Sequence, residues 1–137
     1  MTETEWLVST DPARMIEFVR GTATERKIRL LAVACCRTSR QLLLNKNHLA
    51  DLDAAERYAD GFLTLAELRE VGEWCNARAV SMYAQLELER DIDRWAEATA
   101  VANATHPPGG NYFDLANNAL DAVWMLNRAT HRDINPY

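Results

Sequence analysis

The chain has 137 residues, 48% of them hydrophobic and 26% charged, and a net charge of −5. That length suits one domain, 1–137, with a core of its own. Five Gly and four Pro are too few for a turn-rich β-protein, and no apolar run reaches the roughly 18 residues that a membrane span needs. The composition therefore predicts an all-α protein: a helical bundle of about five helices, one of them long.

Met1 to Trp6 carries Glu3 and Glu5 in place of the basic lead of a signal peptide, so the expected location is cytoplasmic. Trp6 and Leu7 either pack back onto the first main helix or form a short helix of their own. That main helix is expected to start at Asp11-Pro12, with Thr10 or Asp11 as its cap, because Pro is preorganised for a first helical turn. Met15, Ile16, Phe18 and Val19 supply its apolar side, and Gly21 ends it.

Thr24 is expected to cap a second helix running to about Leu44. Its apolar positions Ile28, Leu31, Cys35 and Leu42 follow helical spacing. Leu30 to Cys36 (Leu-Leu-Ala-Val-Ala-Cys-Cys) is apolar all round, which predicts a buried central helix. A third helix is expected over Leu49 to Asp60, closed by Gly61, which completes an N-terminal group of helices over 1–62. Thr64-Leu65-Ala66-Glu67 reads as a capping box and opens a helical stretch without Pro until Pro107.

The spacing predicts one long helix over 64–105. About 40 residues at a 1.5 Å rise span roughly 60 Å, more than the rest of the chain can cover. Apolar positions run Leu68, Val71, Cys75, Ala79, Met82, Leu86. They restart at Leu88, Ile92, Trp95, Thr99, Ala102 with the spacing of a coiled-coil seam. The phase changes between Leu86 and Leu88, where the helix either bends or turns its second half toward another surface. His106 to Asn111 is a loop, and a last helix is expected over 112–130 before an irregular tail.

Charge is uneven along the chain. Residues 20–48 hold seven bases against Glu25 alone, and residues 49–97 hold twelve acids against five bases. The two segments either face each other within the bundle, or the basic strip (Arg26, Lys27, Arg29, Arg37, Arg40) meets an acidic partner or nucleic acid. Few aromatics lie among these cations for base stacking, and the chain as a whole is acidic, which disfavours non-specific nucleic-acid binding.

No arrangement of catalytic or ligating residues has the required spacing. Cys35, Cys36, Cys75, His48, His106 and His131 contain no zinc-knuckle pair and no His-Glu-x-x-His helix, so they read as buried thiols and surface histidines. A Cys36–His48 pair would place the thiol in the most apolar stretch, where reactivity falls. Glu87, Glu89, Asp91, Asp93 and Glu97 alternate with Arg90 and Arg94 as on a solvated helix face. Gly109-Gly110 is a connector. No catalytic, cofactor-binding or metal residue is assigned, and no cofactor is expected.

The residues Glu5-Trp6-Leu7, Asp11-Pro12, Met15-Ile16-Glu17-Phe18, Arg20-Gly21, Arg26-Lys27, Arg29-Leu30, Ala32-Val33-Ala34-Cys35-Cys36-Arg37 and Ala55-Glu56-Arg57-Tyr58-Ala59-Asp60-Gly61 form a pattern. In it the chain resembles a family of uncharacterised helical proteins abundant in planctomycete-type bacteria. A weaker likeness covers Leu126 through Pro136, and the Pro107-Pro108-Gly109-Gly110 loop departs from the family. The resemblance implies a bacterial cytoplasmic helical module and carries no activity with it.

The expected role is therefore non-enzymatic: a protein–protein interaction module, an adaptor or small subunit that self-associates as a homo-oligomer through the long helix. Leu88, Ile92, Trp95 and Trp124 are the interface candidates, since large aromatics anchor cores or interfaces. A nucleic-acid-associated subunit using the basic strip, and a small-molecule-binding bundle, are the alternatives.

Overall fold

The structure is a computed structural model, and it describes residues 1–19, 22–38, 44–85 and 89–108. The described residues form six helices: α1 (Glu3–Val8), α2 (Pro12–Val19), α3 (Glu25–Arg37), α4 (Lys46–Ala59), α5 (Leu65–Ala84) and α6 (Glu89–Thr105). An all-α bundle is thus what the composition specified. Among the described residues no helix is long and apolar enough to cross a membrane. Leu88, Arg40, Trp124, the loop from Gly109 and the expected last helix over 112–130 lie outside the described residues.

Local chemistry accounts for most helix starts. Thr2 and Glu5 form a capping box that opens α1, and the backbone N–H of Thr2 holds the Glu5 carboxyl below its usual range. Trp6 and Leu7 therefore stand in a short helix, and the Trp6 ring also packs on Phe18 of α2 at 5.8 Å. Asp11 caps α2, its carboxylate accepting from Arg14 N at 3.2 Å. Thr24 caps α3 by accepting from Lys27 N, and Thr64 with Glu67 completes the expected box at α5. The cap of α4 is Asn45, whose side chain accepts from the N–H groups of Asn47 and His48. That cap starts α4 three residues ahead of the expected Leu49.

At the other end of α4, Gly61 has φ 82°. The N–H of Phe62 reaches Arg57 O at 2.8 Å and that of Gly61 reaches Tyr58 O at 3.0 Å. This is a Schellman closure, which requires a left-handed residue at the Gly61 position.

Three expectations need correction. Helix α3 ends at Arg37 instead of running to Leu44. The Thr38 hydroxyl donates to Cys35 O at 2.6 Å and its N–H also reaches Cys35 O, so a local side-chain bond competes with continuation of the helix.

The helix expected to be continuous over 64–105 is two helices folded back on each other. Helix α5 closes at Gln85. Beyond that point Trp95 meets Tyr83, with ring centroids 5.5 Å apart, and a Cβ on Gly72 would lie 3.0 Å from Thr105 O. Those pairings run antiparallel along a hairpin. The two arms meet where Cys75 of α5 packs in the core with Ala96, Ala100, Val101 and Ala104 of α6.

The centre of the fold is α6, not α3. From Trp95 to Thr105 no residue is exposed, and α3, α4 and α5 all pack against α6. Helix α3 buries one stripe, Ile28, Arg29, Ala32, Val33 and Cys36, and leaves Leu31 and Ala34 exposed. The core joins Ala32, Val33 and Cys36 of α3, Leu52 and Ala55 of α4, Cys75 of α5, and Ala96, Ala100, Val101 and Ala104 of α6. Ala96, Ala100 and Ala104 recur every fourth residue, so they form one narrow face that lets neighbouring helices approach closely.

Candidate functional site

Three residues of the basic strip, Arg26, Arg29 and Arg37, are paired inside the molecule. Arg37 Nη2 lies 2.6 Å from Asp53 Oδ1 and 2.8 Å from Glu56 Oε2, and these two carboxylates hold its guanidinium above its usual range. Arg26 pairs with Asp60 at 2.6 Å and donates from Nε to Ala59 O at 3.0 Å. Both ties run from α3 to the acidic face or C-terminus of α4. Arg29 is buried, its side chain 3% exposed. It donates to Glu25 Oε1 at 2.6 Å, Ala104 O at 2.9 Å and His106 O at 2.8 Å, with the Tyr58 ring 5.1 Å from its guanidinium carbon. It therefore caps the carbonyl end of α6 and stands out of reach of any external phosphate. Lys27 is exposed.

Of the interface candidates, Trp95 is half-buried and rests on Tyr83. Ile92 lies on α6. Near Trp95, Val80 is 60% and Tyr83 62% exposed; three residues apart on α5, they share one flank. Trp74 is 68% exposed on the far flank, about 120° from Val80 at 100° per residue.

A polar cluster lies between α4, α5 and α6. His48, read from the sequence as a surface residue, is only 1% exposed. Arg78 Nη1 of α5 lies 2.7 Å from Asp51 Oδ2 and 3.5 Å from His48 Nδ1. On the other side of the ring, His48 Nε2 stands 3.9 Å from Glu97 Oε2 of α6 and has no hydrogen-bond partner. Burial, reinforced by the Arg78 charge against a smaller opposing effect of Asp51, lowers the proton affinity of the imidazole below the ordinary histidine range. Glu97, expected on a solvated face, has a side chain only 14% exposed, because it stands beside the buried His48 of α4.

Cys75 lines the same region, and burial is the main cause that pushes its thiol up to about 12. Cys36 is likewise raised to about 12, first by burial and then by neighbouring Cys35. Both sulfurs are thus protonated thiols at neutral pH, and weak nucleophiles. The imidazole faces Arg78 and Glu97, so the imagined Cys36–His48 pair is not the arrangement around His48. Among the described residues no three His, Cys, Asp or Glu side chains are grouped to hold a metal ion.

Sequence reasoning passed over Arg78 and Asp51. One signal was available. Arg78 falls within the stripe Val71, Cys75, Ala79, Met82, and His48 with Asp51 are one turn apart on α4. A cation inside an apolar stripe implies a partner on the helix it faces.

No protein-family model, curated protein or solved structure matches the chain.

Proposed function

We propose that the chain is a non-enzymatic helical interaction module that self-associates through the turn end of the α5–α6 hairpin. The observation that carries this reading is the joint exposure of Val80 and Tyr83 beside Trp95, whose ring rests on Tyr83 at 5.5 Å. Clustered aromatic and branched side chains at an exposed helix end are the composition of an interface centre. A role as an adaptor or small subunit of a bacterial cytoplasmic assembly accords with the family resemblance. The basic strip supports a nucleic-acid role less well, since Arg26, Arg29 and Arg37 are held by acids and carbonyls of the same chain.

Light scattering coupled to size exclusion tests the proposal. The wild type should run as a multiple of 15.5 kDa. Tyr83→Asp, Val80→Asp and Trp95→Asp should each shift it toward one copy while the helical circular dichroism is retained. A wild type that is monomeric throughout the accessible concentration range refutes self-association.

A further inference from the structure

We infer that His48, Arg78 and Asp51 form an acid-released latch between α4 and α5, closed while His48 Nδ1 is an acceptor and opened when that nitrogen takes a proton. The inference does not depend on the self-association proposed above. A guanidinium carries N–H donors and no acceptor. Contact of Arg78 Nη1 with His48 Nδ1 at 3.5 Å therefore requires Nδ1 to be bare, with the single imidazole proton on Nε2. Protonation of Nδ1 sets N–H against N–H and two cations face to face. Arg78 then loses the imidazole contact that helps hold it beside Asp51. Its side chain is 29% exposed, so it has a path outward into water.

The surrounding charges decide the sign. Asp51 lies on the same helix, Arg78 on α5 and Glu97 on α6. Cys75 of α5 is neutral, and Arg37 of α3 is occupied by Asp53 and Glu56. Asp51 and Glu97 favour the imidazolium. Burial of the ring and the Arg78 charge oppose it and prevail, so the folded state takes this proton less readily than the unfolded chain. The contribution is therefore constant above the ordinary histidine value of about 6.5. It is lost as pH falls from there toward the lower folded value. One linked proton changes the open-to-closed ratio by up to about tenfold per pH unit.

Amide hydrogen exchange of the full chain at pH 7.5, 6.5 and 5.5, corrected for intrinsic rates, tests this. Protection of α4 and α5 should fall by up to about fivefold between pH 6.5 and 5.5. The fall should be absent in His48→Gln, whose amide oxygen can still accept from Arg78. Nitrogen-15 imidazole spectra of the wild type should show the Nε2–H tautomer above the transition. An Nδ1–H tautomer overturns the proposal, as does a His48 titration that leaves α4 and α5 protection unchanged, or a pH step that survives in His48→Gln. If His48→Gln does not fold, the wild-type tautomer and exchange measurements decide alone.

Discussion

Replacing Arg29 with Met tests the most heavily used side chain in the fold. The Met side chain can occupy the space of the Arg stem, so the change isolates the guanidinium. What disappears is a bond to each of Ala104 O and His106 O and the partner of Glu25. The Glu25 side chain is a quarter exposed, so water replaces most of that partner and its loss adds little. The two carbonyls cannot be mutated away. An unsatisfied buried acceptor costs about 1–3 kcal/mol, and the apolar Met returns about 1 kcal/mol by burial. Ala104 O is buried and His106 O only partly so, so the net loss is about 2 kcal/mol, a sizeable share of the 5–15 kcal/mol that typically holds a domain together. At about 3–4 °C per kcal/mol for a chain of this size, Tm should fall by about 7 °C. Urea unfolding followed by circular dichroism reads the same loss as a lower midpoint at unchanged slope. Arg29→Lys keeps the charge but not the fork, and should fall between the two. A Tm within 2 °C of wild type for Arg29→Met refutes the assignment of Arg29 as the cap of α6.

Three further outcomes follow from particular contacts. Gly72→Ala gains about 1 kcal/mol of helix propensity, but its Cβ meets a backbone carbonyl at 3.0 Å; overpacking costs about 1–3 kcal/mol, so urea unfolding should show a net loss of about 1 kcal/mol, and a more stable variant refutes the closeness of the hairpin. Asn45→Ala removes the cap of α4 and should cost about 1 kcal/mol, while Asn45→Gly costs a few tenths; equal losses would mean that the side chain does not cap. Cys35 is half-exposed while Cys36 and Cys75 are buried, so a thiol reagent at pH 8 should titrate Cys35 first and the other two only after denaturant is added, and three equally fast thiols would contradict the core.

The features legible in the sequence are those decided within a few residues. Thr24, Thr64 with Glu67, Asp11 and Gly61 each act on backbone groups of their own turn, so spacing alone reveals them. The hairpin was half legible: the phase change at Leu86 gave the place of the break, but a phase change does not say how far the chain turns. The centre of the fold was misplaced because the run from Leu30 to Cys36 is apolar all round, which drew it to α3. The buried face of α6 is instead written in Ala96, Ala100 and Ala104, and Ala is a helix former on any face. The polar cluster was least legible. Burial of His48 and Glu97 depends on which helices close over them, and no local spacing encodes that.

Small residues at the centre shift the balance of what holds this chain in one arrangement. An Ala buries three side-chain carbons fewer than a Leu, at about 0.8 kcal/mol per methylene, so a core made mostly of Ala, Val and Cys around Leu52 draws less from burial than a Leu-rich core of equal length. Close approach recovers part of the difference, since interiors at crystal density gain dispersion contacts. Small faces also slide on one another with little change in packing, and hence fix register weakly. The buried polar contacts supply that register. Arg29 matches one turn of α3 to the last carbonyls of α6, and Arg78 matches α5 to Asp51 and His48 of α4. Each tie is directional and leaves a costly unpaired group if the helices slip by a turn. A fold organised this way should tolerate apolar exchange among its core positions better than loss of either arginine, which inverts the usual ranking of core over polar substitutions.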